Sequence, residues 1–212
     1  MPYESLGELA EILVRRATAA GVMVVTAESC TGGMVAAAIT DVAGASAVLD
    51  RGLVTYSNAA KRDLLGVPAP ALDSHGAVSM ETAAAMAEGA LAASPQAGLA
   101  VAITGIAGPG GGSAEKPVGL VWFGVAESAG ETRTVRHVFS GDRTAIRIQA
   151  ASTALNLLAD LCLLLCKVCI APTPARLFLE DATLRVLSGL WHPVLPISLT
   201  KLTFLLLDCR QA

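Results

Sequence analysis

The chain has 212 residues, of which 53% are hydrophobic, 16% charged and 4% aromatic, and this composition excludes an intrinsically disordered protein. Its 15 basic and 18 acidic residues give a formal net charge of -3. Without a basic excess to neutralise a phosphate backbone, nucleic acid is not expected as a partner. The length suits one domain or slightly more, and we expect a small-molecule substrate.

The composition changes near residue 160. Residues 1–159 contain 10 basic residues, 14 acidic residues and one cysteine, Cys30, whereas residues 160–212 contain five basic residues, four acidic residues and four cysteines. We therefore predict a domain over residues 1–160, followed by an atypical, apolar and cysteine-rich tail over residues 161–212. The basic start and apolar run of a secretory signal are missing, which predicts a cytoplasmic protein with reduced thiols.

Hydrophobic periodicity predicts a first helix over residues 4–20, with Gly21 as its C-terminal cap. A short, mostly β-branched run over 22–27 predicts a buried strand, and an alanine-rich helix over 34–40 follows the next loop. The remaining predicted elements are a strand over 52–56, a helix over 59–65 capped by Ser57 or Asn58, a helix over 80–93 capped by Ser79, a strand over 99–104, a hairpin of strands 118–126 and 132–139, and a final helix after Arg143 with apolar positions Ile146, Ile148, Leu155 and Leu158. This order predicts a layered α/β domain around a mixed sheet.

Three predicted loops lie directly after strands, over residues 28–33, 56–61 and 105–113. Open α/β sheets bind ligands beyond the carboxyl ends of their strands, so these loops can meet at one site. In the first loop, Ser29 precedes two glycines at a helix start, which places its hydroxyl near backbone N–H groups able to hold an oxyanion or a phosphate. The alternative is a plain capping turn in which Ser29 or Thr31 accepts hydrogen bonds from the backbone.

The second loop contains Tyr56 at a strand end and leads to Lys61 on the following helix. A lysine can act as the base for a serine when desolvation or nearby positive charge lowers its pKa, and serine–lysine pairs are a known variant of nucleophilic catalysis. The alternative is that Lys61, beside Arg62 and Asp63, lies on a solvated helix face.

The third loop is the longest glycine-rich stretch of the chain, and its glycines permit close approach of the backbone to a ligand. It lacks the Lys-Ser/Thr pair of a Walker loop and the spacing of the dinucleotide fingerprint, so neither ATP nor NAD has its usual signature. A flexible surface loop is the alternative. Beyond it, Arg143 can bind a phosphate at a helix start or can pair with Asp142.

The spacing of histidines and cysteines predicts no metal site. The histidines are scattered, and the cysteine cluster near the C-terminus has neither zinc-ribbon spacing nor a second ligand pair. We interpret His75 as a turn residue before Gly76 and His137 as a structural strand residue.

Five motifs occur in the order in which one protein family carries them. They are TAESCTGG at 26–33, VTYSNAAK at 54–61, HGAVS at 75–79, TGIAGPGGGS at 104–113 with KPVG at 116–119, and SGDR at 140–143. On these motifs the chain resembles the stand-alone form of the CinA C-terminal domain family, the nicotinamide-nucleotide amidohydrolases. The resemblance covers about residues 5–159.

The resemblance implies a three-layer α/β/α sandwich that hydrolyses nicotinamide mononucleotide to nicotinate mononucleotide and ammonia, with no cofactor. It makes Ser29 the nucleophile and Lys61 its base, with Tyr56 beside them. It implies substrate contacts at Thr31, Gly32, Gly33, Thr104, Gly105, Gly110, Gly111 and Arg143. Among these, the amides of residues 31–33 would hold the oxyanion and Arg143 would meet the phosphate. The alternative from another functional class is a non-catalytic nucleotide-binding or scaffolding module.

The tail departs from the family pattern, which ends soon after the last predicted helix. Charged residues and prolines interrupt the apolar runs of the tail, so we expect no membrane span. One hypothesis is a read-through or frame-shifted end without an evolved partner surface, and the other is an accessory helical segment that covers an apolar face. We expect a homo-oligomer, whose state can reflect the tail as well as the enzyme.

Overall fold

The computed structural model describes residues 5–128 and 130–170, with side chains up to residue 165. Residues Met1–Cys166 form a compact unit distinct from the rest of the chain, and the fold below is the fold of that unit. The predicted tail beyond Ile170 lies outside the described residues.

All the helices and strands predicted from the sequence are present, with bounds that differ by a few residues. The described helices are α1 (Leu6–Ala20), α2 (Met34–Thr40), α3 (Asn58–Leu65), α4 (Ala69–His75), α5 (Met80–Ala92) and α6 (Arg143–Ile170), with a short 3-10 helix at Ala45–Ala47. The described strands are β1 (Met23–Glu28), β2 (Leu49–Val54), β3 (Ala97–Gly105), β4 (Leu120–Glu127) and β5 (Arg133–Val138).

The described strands form one mixed sheet in the order β2-β1-β3-β4-β5. β1 is parallel to both β2 and β3, whereas β4 is antiparallel to β3 and to β5, with which it forms the predicted hairpin. Because β1, β2 and β3 are parallel, their carboxyl ends at Glu28, Val54 and Gly105 lie at the same edge of the sheet. The loops that follow them therefore emerge side by side.

Alternate residues of β3 enter two hydrophobic clusters, one on each face of the sheet. Val101 and Ile103 belong to the cluster that contains α1, α2 and α6, whereas Ala100 and Ala102 belong to the cluster with α3, α4 and α5. This arrangement confirms the predicted three-layer α/β/α sandwich around a mixed sheet. Small residues line the second face and let α5 pack closely on it, since a Cβ at Gly124 would collide with the backbone of α5.

The predicted helix ends are confirmed where the sequence named a cap. Gly21 and Gly66 end α1 and α3 in the left-handed conformation, with φ of 62° and 63°. Ser57 accepts a hydrogen bond from the Ala60 N–H at 3.0 Å and so starts α3, and Ser79 caps α5 in the same way. The Ser57 cap fixes the helical phase of α3 and therefore the direction of its side chains.

The bounds of one strand were wrong, and one helix was missed. β2 spans Leu49–Val54 rather than 52–56. Gly52, where the predicted strand began, lies in its middle, and a Cβ there would come to 2.5 Å from the Ala36 Cβ on α2. α4 was not predicted; Pro68 is its N-cap and Pro70 lies in its first turn, where proline is tolerated. His75 is therefore the last residue of a helix rather than a turn residue.

The apolar face predicted for α6 is correct for Ile146, Leu155 and Leu158, which are buried. Ile148 was expected among them and is instead 41% exposed, because a residue two positions along a helix points to another side. By length and hydropathy, residues 143–165 of α6 would also suit a membrane span. The buried positions of this helix belong to the hydrophobic core of the described fold.

The division predicted near residue 160 stays a prediction. α6 crosses that position, and both Leu161 and Cys162 lie in the hydrophobic core.

A chain that ends at Cys166 should unfold cooperatively and keep the activity proposed below, because it retains every buried residue of α6 named above. Circular dichroism melting and an activity assay would test this expectation. Ending the chain at Asp160 should be costlier, since it removes Leu161 and Cys162 from the core, and burial of one large apolar side chain is worth about 1.5–3 kcal/mol. Loss of cooperative unfolding in the 1–166 chain would contradict the prediction.

Candidate active site

A cavity of about 190 Å³ opens at the carboxyl edge of the parallel strands. It is lined by Ser29, Cys30, Tyr56, Lys61, Ala77, Val78, Thr104, Gly105, Ala107 and Arg143. The three loops that follow strands thus meet here, together with the start of α6. Of the predicted site residues, Thr31, Gly32, Gly33, Gly110 and Gly111 do not line this cavity.

Ser29 and Lys61 are in direct contact. The Lys61 Nζ lies 3.0 Å from the Ser29 Oγ, 2.8 Å from the Thr55 carbonyl oxygen and 3.4 Å from the Tyr56 carbonyl oxygen. Ser29 is 8% exposed and Lys61 only 1% exposed. The alternative of a solvated helix face for Lys61 is therefore wrong.

Burial lowers the pKa of Lys61, because desolvation penalises the ammonium form. Among the described residues, no carboxylate lies within ion-pair distance of its Nζ to offset that penalty. The shift is in the direction that a lysine base requires, because it makes the neutral amine beside the serine hydroxyl easier to form.

Cys30 is the neighbour of Ser29 and also lines the cavity. Burial raises the pKa of the Cys30 thiol to about 11, and the nearby Glu28 carboxylate acts in the same direction. Since the thiolate is the nucleophilic form of cysteine, Cys30 is a protonated, weakly reactive thiol at neutral pH. The hydroxyl in contact with Lys61 is the better candidate for a nucleophile.

Arg143 joins two walls of the cavity. Its guanidinium donates to the Gly108 carbonyl oxygen at 2.9 Å and to the Tyr56 hydroxyl at 3.3 Å. The alternative pairing with Asp142 is not formed, because the Asp142 carboxylate accepts from the Ala145 N–H and caps α6. Arg143 therefore lies at the mouth of the cavity, between the glycine-rich loop and Tyr56.

The loop that carries Ser29 is organised around a buried carboxylate. Glu28 is fully buried, and its carboxylate accepts hydrogen bonds from the backbone N–H groups of Gly33, Val35 and Ala36 at 2.9 to 3.2 Å. The Gly32 N–H donates to the Ser29 carbonyl oxygen at 3.1 Å. In this structure an internal anion therefore occupies the start of α2.

This finding changes the expectation for an oxyanion site. The amides of Gly32 and Gly33 were predicted to face the substrate, but both already have protein acceptors. Both glycines serve the chain reversal instead, with φ of 63° and 97° that other residues adopt only with strain. Thr31 is fully buried, and its role as a donor stays a prediction.

Two groups of residues near the site were missed from the sequence. Ala77, Val78 and Ala107 lie within the family motifs, but they carry no reactive group and so attracted no role. Arg147 donates to the carbonyl oxygens of the Ser29 loop, and its signal was its position one helical turn after Arg143.

Comparisons with known proteins agree with this geometry. A family model described as the CinA C-terminal domain matches residues 6–162. The chain belongs to the CinA C-terminal domain family. The predicted family is thereby confirmed, and the matched region is close to the predicted one of about residues 5–159.

Proteins with the name nicotinamide-nucleotide amidohydrolase PncC are among its relatives. The one from Enterobacter agglomerans is 54% identical over 156 residues, which cover 74% of this chain and 94% of the relative. The one from Escherichia coli K12 is 53% identical over 158 residues, covering 74% and 95%. A crystal structure of competence/damage inducible protein CihA from Agrobacterium tumefaciens matches with a TM-score of 0.72 and 51% identity, over 76% of this chain and 98% of that one.

The expected absence of a metal stays a prediction. Across residues 5–128 and 130–170, no group of three or more histidine, cysteine, aspartate or glutamate side chains could hold a metal ion.

Proposed function

We propose that the chain hydrolyses the carboxamide of nicotinamide mononucleotide, giving nicotinate mononucleotide and ammonia, with Ser29 as the nucleophile and Lys61 as the base. The observation that carries the proposal is the buried Lys61 Nζ at 3.0 Å from the Ser29 Oγ, within a cavity at the carboxyl edge of the sheet. The enzyme names of relatives at 53 and 54% identity support the same substrate.

The hydrogen-bond partners of Lys61 suit a base. A neutral amine has two N–H donors, and the Thr55 and Tyr56 carbonyl oxygens are positioned to accept from both. The remaining lone pair then faces the Ser29 hydroxyl. These carbonyl groups orient the base without a carboxylate that would raise its pKa.

The first half of the reaction forms an acyl-enzyme. The Ser29 Oγ attacks the carboxamide carbon while the Lys61 Nζ takes the hydroxyl proton. Collapse of the tetrahedral intermediate breaks the C–N bond, and Lys61 returns the proton to the leaving nitrogen, which departs as ammonia.

The second half consumes water. Water attacks the acyl carbon as Lys61 takes its proton, the bond from that carbon to the Ser29 Oγ breaks, and Lys61 returns the proton to the serine. The products are free enzyme and the nicotinate carboxylate, whose proton goes to solvent.

The size of the cavity suggests how the nucleotide lies. Its volume of about 190 Å³ is below the range of about 300–1,000 Å³ that holds a whole ligand of drug size. It suits the carboxamide-bearing ring, with the ribose phosphate at the mouth beside Arg143. Thr104, which donates to the Ala77 carbonyl oxygen, holds two walls of the ring pocket together.

Incubation of the purified chain with nicotinamide mononucleotide should release ammonia and nicotinate mononucleotide in equal amounts. Chromatography and an ammonia assay measure both products. A folded chain that binds the nucleotide without turnover would favour the alternative of a binding module. A chain that neither binds nor turns over the nucleotide would contradict both functions.

The rate should rise with pH as Lys61 loses its proton, with an apparent pKa below the value of about 10.4 that is usual for lysine. The direction follows from burial, which favours the neutral amine that accepts the serine proton. The pH dependence of kcat/KM between pH 6 and 10 measures it. A rate that is flat over this range and falls only in acid would point to a different base.

A further inference from the structure

We propose that Arg147 is a positioning residue that holds the nucleophile loop for attack, an inference that rests on the proposed function. Its guanidinium Nε donates to the Cys30 carbonyl oxygen at 3.0 Å, and its Nη2 donates to the Thr31 carbonyl oxygen at 2.9 Å. These are consecutive peptide groups immediately after Ser29. One planar fork from α6 thus fixes two peptide groups of the loop.

Arg147 and Glu28 hold opposite groups of the same loop. The Glu28 carboxylate accepts from the N–H groups of Gly33, Val35 and Ala36, whereas Arg147 donates to carbonyl groups. At the start of the loop, the Ser29 N–H donates to the Ile103 carbonyl oxygen at 2.9 Å. The segment from Ser29 to Ala36 is therefore hydrogen-bonded to β3, to the Glu28 carboxylate and to Arg147 on α6.

The contacts of Arg147 also set the direction of a backbone donor. In a trans peptide the N–H points opposite to the carbonyl of the preceding residue. With the Cys30 carbonyl bound to Arg147, the Thr31 N–H is turned away from α6. Within the part of the chain that the structure describes, this N–H has no acceptor. Of the amides of residues 31–33, it is the one without a protein acceptor, on a residue that is fully buried and does not line the cavity.

A purely structural role for Arg147 predicts a different outcome. If the guanidinium only attached α6 to the sheet, its loss would lower stability and leave the kcat of the remaining folded enzyme intact. A positioning role predicts a fall in kcat with little change in KM, because Arg147 does not line the cavity and acts through the placement of the reacting Ser29 hydroxyl.

The test compares Arg147→Ala with Arg51→Ala. Arg51 is a matched control because its guanidinium also donates to a backbone carbonyl oxygen, that of Ala93. Arg51 lies on β2, outside the cavity. Arg147→Ala should lower kcat about 10²-fold, the loss typical of a misplacement of about 1 Å, while Arg51→Ala stays near wild type. Millimolar guanidinium chloride should restore part of the activity of Arg147→Ala and leave Arg51→Ala unchanged.

Arg147→Lys covers the case in which Arg147→Ala does not fold. Lysine keeps the positive charge but has no planar fork for two carbonyl groups, so kcat should still fall at least tenfold. A kcat within twofold of wild type in the folded variant, or an equal loss in Arg51→Ala, would overturn the proposal.

A second measurement separates this inference from the proposed function. If wild-type protein does not hydrolyse the nucleotide, labelling of Ser29 by a fluorophosphonate probe, followed by intact mass spectrometry, measures how well the nucleophile is presented. Slower labelling in Arg147→Ala than in Arg51→Ala supports positioning, and equal rates overturn it. Wild-type protein that is neither active nor labelled overturns both proposals.

Discussion

Replacement of Ser29 by alanine should lower kcat for nicotinamide mononucleotide by about 10⁴-fold or more and leave the dissociation constant of the nucleotide within a few fold. The reason is that the covalent route ends when the Oγ beside Lys61 is removed, whereas the walls of the cavity and Arg143 remain. Ammonia release measures the rate, and isothermal titration calorimetry measures binding.

Ser5→Ala is a matched control for this experiment. Ser5 is a serine that caps α1 and accepts from the Glu8 N–H at 3.3 Å, outside the cavity. Its replacement should cost about 1 kcal/mol of stability and leave kcat near wild type. A Ser29→Ala enzyme with more than a tenth of the wild-type kcat would show that the reaction does not pass through this hydroxyl.

The position of the site could be predicted because it follows from sheet geometry. Parallel strands end at one edge, so the loops over 28–33, 56–61 and 105–113 were expected to be able to meet at one site. The family motifs then added roles that spacing alone could not supply. The motifs at 26–33, 54–61 and 104–113 lie at the carboxyl ends of β1, β2 and β3.

The direction of the Lys61 side chain could not be predicted from spacing. Its sequence neighbours Arg62 and Asp63 are charged, which is the usual pattern of a solvated helix face. The Ser57 cap fixes where α3 begins. Lys61 comes one helical turn later and points toward the protein interior, where only 1% of the residue is exposed. The residues next to a lysine on a short helix do not indicate whether its amino group is buried.

The hydrogen bonds of the nucleophile loop were also beyond the sequence. Two glycines before a helix suggested free amides. Only the fold shows that the Glu28 carboxylate already accepts hydrogen bonds from the Gly33 N–H and from two N–H groups at the start of α2. Arg147 donates to the carbonyl oxygens of Cys30 and Thr31, which lie 117 and 116 positions earlier in the chain. Such a contact depends on how α6 packs against the sheet, which local patterns do not encode.

Replacement of Lys61 by methionine should lower kcat by about 10³-fold or more, and the Ser29→Ala, Lys61→Met double variant should be no worse than Ser29→Ala alone, because the two residues act as one unit.

The replacement of Lys61 by methionine should also remove a pH dependence of the free energy of unfolding. Burial lowers the pKa of Lys61 in the folded state, so between that pKa and the unfolded value the unfolded chain binds more protons.

The sign of the stability effect follows from that difference in bound protons. The free energy of unfolding of the wild type should rise with pH across the window between the two pKa values, as the unfolded chain also loses its proton. Below the window, Lys61 is protonated in both states, and the buried ammonium carries its full desolvation cost. Lys61→Met should lack this rise, since methionine has nothing to titrate, so its advantage in stability over wild type should be largest near neutral pH and shrink toward pH 10. Urea denaturation of both proteins at pH 7 and pH 10 measures the difference, and parallel changes in the two proteins would mean that Lys61 is charged in the folded state.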